Sequence, residues 1–370
     1  MSSDLGGDNN LVRAIVADDT ALYRKTIAEI LKTIPGVEVV GAAFDGEDCL
    51  IMAEKLKPDF ITLDMQMPRR DGLSTLEEIK RRKIPSEVVM VCSATVESAD
   101  QAMRALRMGA LDMILKPSSS DFAANKKDLE NQLLNQVMTV RTRRSRGART
   151  PVAPSRAMRP IAPVASQKPV MRTKTPKCVC IGVSTGGPQA LGVVLQSLSG
   201  DLPVPIFIVQ HMPPVFTKSL ADHLNRSGKI RVSEAIDGEI AANGQIYVAP
   251  GGKHMRVERR ANGFQIQVTN DPPIGACKPS VDYLFNSVER SVGGEALAII
   301  LTGMGSDGLA GCKKLHAAGA RIIAQDAESC VVYGMPRQIA ENNLAHEVLS
   351  LNSIGARVTQ LLSKQSILCS

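Results

Sequence analysis

The sequence predicts an α/β protein made of two doubly wound parallel-sheet domains. Short apolar, β-rich runs alternate with helical patterns over residues 11–140, and the same alternation resumes at Lys177. A basic, proline-rich stretch separates the two halves, and a chain of 370 residues is too long for one ordinary core. We therefore expect a first domain at 11–130, a linker at 131–175 and a second domain at 176–365.

The first half contains five predicted strands, each followed by a helix. This alternation is typical of a parallel sheet with crossover helices, in which ligands bind beyond the carboxyl ends of the strands. The helices begin near Thr20, Gly46, Asp71, Ser98 and Asp121. The predicted strands, in chain order, are VRAIVA, VEVVGAA, DFITLD, EVVMVCS and LDMILK.

The side chains that end these strands form a candidate site. Asp18 and Asp19 follow the first strand, Asp64 ends the third, Ser93 the fourth, and Lys116 the fifth. Clustered carboxylates repel one another, and a divalent cation relieves that repulsion. This predicts a phosphoryl-transfer site in which the three aspartates surround Mg²⁺, Asp64 is the nucleophile and Lys116 pairs with an anion. In the alternative interpretation, the acids only cap helices and the lysine is an ordinary surface residue. This would explain one acid at a strand end, but not the whole set of residues.

The segments AIVADD, TLDMQMPRRDG, VCSAT and LKP resemble the receiver domain of two-component response regulators. The resemblance covers roughly residues 11–130 and implies a flavodoxin-like fold, Mg²⁺ held by Asp18, Asp19 and Asp64, and phosphorylation of Asp64 by a partner histidine kinase. It also implies phosphate contacts from Ser93 and Lys116. Met113 departs from the pattern, because many receivers carry an aromatic switch residue three positions before the lysine.

The predicted linker holds the positive charge of the chain. The net charge is +7, yet residues 141–177 carry eleven Lys or Arg and no acid. The remaining chain has 33 basic and 37 acidic residues, a net charge of −4. Six prolines and no aromatic in this stretch predict an extended, solvated linker, with docking on an acidic partner surface as the alternative. With no Trp and 3% aromatics, sequence-specific nucleic-acid binding is not expected.

Cysteine usage and the absence of targeting features predict the compartment. The eight cysteines are scattered, and none forms a CxxC pair, so we expect buried free thiols rather than a zinc site or a disulfide framework. No apolar stretch reaches membrane-spanning length, and the opening MSSDLGGDNN lacks a signal-peptide pattern. We expect a cytoplasmic, monomeric protein that is not inserted in a membrane.

The second half repeats the strand–helix alternation with one insertion. The long stretch from Gly244 to Val268 has period-two patterning around an Ala-Asn-Gly turn, which predicts a β-hairpin insertion. Helices are expected from about Pro188, over Gly308–Ala317 and over SIGARVTQLL. The predicted strands are KCVCIGV, PIFIVQ, EALAIILTG and ARIIAQ.

The glycine turn GVSTGG after the first of these strands has two interpretations. A dinucleotide site needs a carboxylate at the end of the next strand, but Gln210-His211 stands there, and the absence of a lysine in the turn excludes a P-loop. Residues 182–186 instead fit the G-x-S-x-G nucleophile elbow, which is a weak signal on its own. Ser184, His211 and Asp307 each follow an apolar strand, so a parallel sheet would bring them to one edge as nucleophile, base and orienting acid. Helix capping and turn roles remain the alternative for each residue alone.

A second resemblance covers nearly all of residues 177–350. The segments IGVSTGGPQAL, VQHMPPVFTKSLADHLN, IYVAPGGKHMRV, KPSVDYLF, ILTGMGSDGLAG and AQDAESCVVYGMPR resemble the catalytic domain of the chemotaxis protein-glutamate methylesterase family, often called CheB. The resemblance implies a Rossmann-like serine esterase domain that uses Ser184, His211 and Asp307 and no cofactor. It places Thr185 and Met304 in the lining of the active site.

The resemblance also implies the reaction, its substrate and its control. The expected reaction is hydrolysis of glutamate γ-methyl esters on methyl-accepting chemotaxis receptors, with deamidation of receptor glutamines. Phosphorylation of the receiver is expected to uncover the active site. The alternative is a two-component regulator whose C-terminal domain is a non-catalytic nucleotide-binding or partner-binding module; no helix-turn-helix pattern supports a DNA-binding version of it.

Overall fold

The computed structural model describes residues 11–117, 122–147 and 175–363. Two parallel sheets form the frame, and a small antiparallel sheet is attached to the second. The expected fold class, two doubly wound parallel-sheet α/β domains, is confirmed. Within the described residues, none of the helices has the length and apolar character needed to cross a membrane.

The first sheet has the strand order β2-β1-β3-β4-β5, with every pair parallel. Alternate side chains of its strands point into different cores: Ala14 and Val16 lie on one face, and Ile15 and Ala17 on the other. Burial on both faces explains why these strands read as continuous apolar runs. The elements are β1 (Val12–Ala17), α1 (Ala21–Thr33), β2 (Val37–Ala43), α2 (Gly46–Leu56), β3 (Phe60–Asp64), α3 (Gly72–Arg81), β4 (Glu87–Cys92), α4 (Val96–Arg107), β5 (Asp112–Leu115) and α5 (Phe122–Gly147).

Helix α5 extends into the segment whose composition predicts a linker. Leu133, Val137 and Val140 lie at helical spacing and are fully buried in the core of the first sheet. Arg143, which lies beyond them, is held by the same domain, since its Nε donates to Glu87 Oε1 over 2.6 Å. Apolar packing therefore overrides the basic composition up to Val140, and the helix continues to Gly147. The rest of the predicted linker, residues 148–174, lies outside the described residues.

The second sheet has seven parallel strands in the order β15-β14-β13-β6-β7-β10-β8. Its elements are β6 (Cys178–Val183), α6 (Gly187–Gln196), β7 (Ile206–Gln210), α7 (Phe216–Ser227), β8 (Arg231–Glu234), β10 (Gln245–Val248), α8 (Val281–Val292), β13 (Ala296–Ile300), α9 (Leu309–Ala317), β14 (Arg321–Gln325), α10 (Met335–Glu341), β15 (Glu347–Leu349) and α11 (Leu351–Ser363). The antiparallel sheet contains β9 (Ile240–Ala241), β11 (His254–Arg260) and β12 (Gly263–Thr269).

The hairpin prediction is correct for β11 and β12, which pair antiparallel from His254–Thr269 to Arg260–Gly263. The preceding stretch Gln245–Val248 differs from the expectation, because it joins the main sheet in parallel with β7 and β8. Period two describes any strand with two unlike faces, so it does not distinguish a hairpin arm from a strand of the main sheet.

The two sheets are joined by helix packing. Helix α4 contacts α6 and α7, and one continuous apolar core includes residues of both sheets. Polar contacts reinforce this interface: Gln189 Nε2 donates to Leu106 O (3.0 Å) and Ala110 O (3.2 Å), and Ser219 Oγ donates to Asp100 Oδ1 (2.8 Å). The first domain is thereby fixed against the edge of the second sheet where β6 and β7 end.

Candidate active site

Ser184 stands at the turn between β6 and α6. Its backbone N–H donates to Thr302 O (3.0 Å), and its carbonyl accepts from Gln210 Nε2 (2.9 Å). Gly186 turns the chain with φ +77°, a conformation that favours glycine. A Cβ on Gly187 would lie 1.8 Å from Gln210 Oε1, so only glycine allows this close approach. The sequence thus folds into a tight strand–turn–helix that fixes the backbone of Ser184 on two sides.

His211 directly follows β7 and lies beside this turn. Its backbone N–H donates to Val183 O (3.1 Å), and its ring Nε2 lies 2.7 Å from Asp307 Oδ2. Burial disfavours the charged ring, but the hydrogen bond with Asp307 and the contact with Cys277 outweigh it and raise the pKa of His211 to about 9. The imidazolium form is therefore strongly stabilised by its neighbours.

The amino end of helix α8 holds the carboxylate of Asp307. Oδ1 accepts from Ser280 Oγ (2.9 Å), Asp282 N (3.0 Å) and Gly308 N (3.0 Å), and Oδ2 accepts from Val281 N (2.7 Å). Burial raises the pKa of Asp307, but the hydrogen bonds from His211 and from these N–H groups lower it below its ordinary value. Sequence reasoning missed this support, although Ser280 before the helical pattern VDYLFNSV is a recognisable N-cap signal.

One cavity of about 370 Å³ brings the predicted residues together. Ser184, Thr185, His211 and Met304 line it, as does Cys277, which sequence reasoning did not single out. Asp307 lies behind His211, with its side chain 9% exposed. Among the described residues, Ser184 Oγ has no hydrogen-bond partner, so the hydroxyl faces the cavity unpaired. Catalytic hydrogen bonds are often long or open before substrate binds.

The first domain supplies the opposite wall of the same cavity. Asp112, Met113 and Leu115 from β5 and Gln136 from α5 line it. Gln136 Nε2 donates to Asp112 Oδ2 over 3.0 Å. Burial raises the pKa of Asp112 even though Gln136, Met113 N–H and Thr185 donate hydrogen bonds to it. Met113, the residue that stands in place of an aromatic, therefore lies against the cavity of the second domain.

The predicted acidic cluster is assembled at the carboxyl edge of the first sheet. Lys116 Nζ lies 2.7 Å from Asp64 Oδ2 and 2.9 Å from Asp18 Oδ2. Burial raises the pKa of Asp64 to about 6 against the lowering effect of Lys116, and the pKa of Asp18 is raised for the same reason. Ser93 and Asp19 line a cavity of about 240 Å³ with Asp64 and Lys116. All five predicted residues meet at this site.

The donor chemistry of this cluster fits Mg²⁺. One carboxylate oxygen from each of Asp18, Asp19 and Asp64 lies within 4.8 Å of the other two. Hard divalent cations prefer such all-oxygen sets, and Mg²⁺ keeps water at its remaining positions. Two of the acids are buried and one is exposed, which leaves the site open on one side.

Comparisons with known proteins assign both halves of the chain. Residues 14–125 match the family model of the response regulator receiver domain, and residues 179–358 match that of the CheB methylesterase. The chain is similar to the protein-glutamate methylesterase/protein-glutamine glutaminase of Desulfotalea psychrophila, with 44% identity covering 94% of this chain and 97% of that protein. It is 41% identical to the protein of the same description from Bacillus subtilis, covering 96% of this chain and 100% of that one. The crystal structure of the Thermotoga maritima CheB methylesterase catalytic domain matches with 38% identity and a TM-score of 0.49, over 50% of this chain and 98% of that one.

Proposed function

The chain belongs to the protein-glutamate methylesterase/protein-glutamine glutaminase family, and from this premise we propose how its own residues perform and control the reaction. The activity is that of a phosphorylation-regulated carboxylic ester hydrolase of chemotaxis. The substrate is the γ-methyl ester of glutamate on a methyl-accepting chemotaxis receptor. The observation that carries the proposal is that His211, hydrogen-bonded to Asp307, lines the same cavity as the unpaired hydroxyl of Ser184.

Ser184 acts as the nucleophile. Because His211 Nε2–H donates to Asp307, the second ring nitrogen, Nδ1, is the one that takes the hydroxyl proton as Ser184 Oγ attacks the ester carbonyl. The protonated ring then gives this proton to the leaving methoxide, methanol departs and an acyl-serine remains. Water attacks the acyl-serine, His211 takes and returns a proton in the same way, and a glutamate carboxylate is released.

Asp307 orients the ring and stabilises the imidazolium formed during attack. Its negative charge is compensated by His211 and by the amino end of α8, which together keep it ionised although its side chain is only 9% exposed. Thr185 and Met304 are proposed as oxyanion donors. In the part of the chain that the structure describes, their backbone N–H groups donate to no acceptor, and both residues line the cavity.

Deamidation follows from the same machinery. A receptor glutamine presents an acyl carbon to Ser184 in the same position as the methyl ester, and the proton from His211 goes to the leaving nitrogen, which departs as ammonia. Both reactions produce a glutamate carboxylate and so add one negative charge to the receptor. Neither reaction needs a cofactor in the second domain.

Control comes from the receiver. Asp18, Asp19 and Asp64 would hold Mg²⁺, which offsets the charge of the incoming phosphoryl group. Asp64 accepts the phosphoryl group from a partner histidine kinase, and Ser93 and Lys116 contact it. The wall that Asp112, Met113 and Gln136 form over the cavity supports a covered state before phosphorylation. Phosphorylation relieves this cover and lets the receptor reach Ser184.

We also propose a cytoplasmic location, a monomeric state, a second domain at 176–365 and a first domain that begins at 11 and extends beyond the expected limit of 130, because Leu133, Val137 and Val140 lie in its core. A histidine kinase and the receptors are the expected partners.

Methanol release from methylated receptor membranes tests the reaction. We expect the Ser184→Ala variant to lose at least about 10³-fold in rate, since only substrate binding and the oxyanion donors remain to accelerate the reaction. Ser306→Ala is the matched control, because Ser306 is an exposed serine on the neighbouring loop and its variant should release methanol as fast as wild type. Equal rates for the Ser184 variant and wild type would favour the non-catalytic binding module instead.

Phosphate-affinity gel mobility tests the receiver. Acetyl phosphate with Mg²⁺ should shift the wild type and accelerate methanol release, whereas Asp64→Asn should show neither effect. A shift that persists in Asp64→Asn would place the phosphorylation elsewhere.

A further inference from the structure

Cys277 lies beside the proposed catalytic pair. The ligand atoms of His211, Cys277 and Asp307, one from each side chain, all lie within 4.8 Å of one another. Cys277 forms an antiparallel β-bridge with Ile274, and the two residues exchange backbone hydrogen bonds of 3.1 and 3.2 Å, which fixes the backbone of Cys277. The three residues come from separate loops, and the proposed reaction makes no use of the thiol.

The three donors form a set that suits a particular class of metal ion. An imidazole nitrogen, a thiolate sulfur and a carboxylate oxygen are the ligands that Zn²⁺ takes in proteins, whereas Mg²⁺ avoids sulfur. Tetrahedral zinc with bonds of about 2.0–2.3 Å places its ligand atoms about 3.3–3.8 Å apart. The 2.7 Å separation of His211 Nε2 and Asp307 Oδ2 would need to open by roughly half an ångström to accept the ion at that spacing.

A metal ion can reach this site, and the three side chains leave one coordination position open. All three residues are partly exposed, and the cavity of about 370 Å³ in front of His211 and Cys277 leaves room for water at a fourth position. Three protein ligands with one open position describe an accessible metal site rather than a closed structural one. The six other cysteines among the described residues are buried, which leaves Cys277 as the more exposed thiol of that part of the chain.

We propose that His211, Cys277 and Asp307 form a binding site for Zn²⁺ and similar thiophilic divalent ions, and that occupation of this site inhibits the enzyme. The inhibition, unlike the binding, rests on the proposed function: with the metal on His211 Nε2, the proton of the neutral ring lies on Nδ1, which then cannot accept the proton of Ser184. Bound metal also separates Asp307 from the ring. Binding releases the thiol proton of Cys277 and, below the raised pKa of His211, one proton of the imidazolium as well.

Cobalt binding to the full chain tests the site without reference to activity. Co²⁺ bound to a thiolate gives a charge-transfer absorption that oxygen ligands do not give, and excess Mg²⁺ keeps the aspartate cluster of the receiver occupied. We expect the band in the wild type, its displacement by Zn²⁺ and its loss in Cys277→Ser and Cys277→Ala. Cys330→Ser is the matched control, since Cys330 lines a different cavity and its variant should keep the band. Circular dichroism verifies that each variant is folded.

Zinc titration of methanol release gives the second measurement. Removal of the thiol should raise the half-inhibitory Zn²⁺ concentration at least about tenfold. Loss of a residue that binds the metal directly should lower the metal affinity at least as much as loss of a residue that only orients a ligand. A wild type without the cobalt band, or a band that survives in folded Cys277→Ser, overturns the metal site. A chain that shows the band and releases no methanol in chelator refutes the proposed esterase function and leaves the site intact.

Discussion

The Asp307→Asn substitution tests the electrostatic control of the proposed base. Asparagine keeps the shape of the side chain but removes the charge 2.7 Å from His211 Nε2. A pKa of about 9, against the ordinary 6.5, corresponds to about 3 kcal/mol in favour of the imidazolium. Burial opposes that charge, so without the carboxylate we expect the pKa of His211 to fall to 6.5 or below.

Two measurable consequences follow for catalysis. Only the neutral ring accepts a proton, so wild-type methanol release should rise with pH and level off above about 9, whereas the variant should level off at lower pH. The maximum rate of the variant should fall by about 10²–10⁴-fold, because the imidazolium formed during attack loses its partner. The variant therefore reaches its plateau earlier and at a much lower level.

The assay is methanol release from methylated receptor membranes between about pH 6 and pH 10 with phosphodonor present. Asp326→Asn is the control, since Asp326 accepts a turn hydrogen bond from Ser329 N and should leave the profile unchanged. Circular dichroism is needed, because Asp307 also caps α8. A folded Asp307→Asn with the wild-type midpoint, or with a rate within about threefold of wild type, would refute the reasoning.

Three further predictions concern stability and domain contact. Folding raises the pKa of His211, so protonation of this ring should stabilise the folded chain fully below about pH 6.5 and lose this effect as pH rises through about 9. Urea unfolding at several pH values measures this change. A free energy of unfolding that does not fall over this range would contradict the prediction. Gln189→Ala removes two hydrogen bonds to the first domain, each worth about 1 kcal/mol. Because weaker contact should uncover the active site more often, methanol release without phosphodonor should rise about fivefold or more. An unchanged basal rate would mean that this contact does not cover the site. Gly187→Ala places a methyl group 1.8 Å from Gln210 Oε1 and should destabilise the chain by about 1–3 kcal/mol in urea unfolding, whereas Gly192→Ala, with nothing within 4 Å, should not destabilise it.

Local sequence patterns predict the order of strands and helices and the positions of the proposed site residues. Apolar runs and turns determine where strands end, and in a parallel sheet the carboxyl ends share one edge. That rule alone predicts that Asp18, Asp64 and Lys116 lie at one site, and that Ser184 and His211 lie at another. The chemistry of these residues could be read from the chain because each follows its own strand directly.

Tertiary structure decided the contacts between distant elements. The charge of Asp307 is compensated by the amino end of α8, and Cys277 lies beside His211 although 66 residues separate them in the chain. Helix α5 continues through a basic segment because Val137 and Val140 are buried in the core, and Met113 faces the cavity of the other domain. Periodicity in the sequence shows which face of a helix or strand is apolar. Which other element packs on that face depends on long-range contacts, and these form only when the whole chain packs.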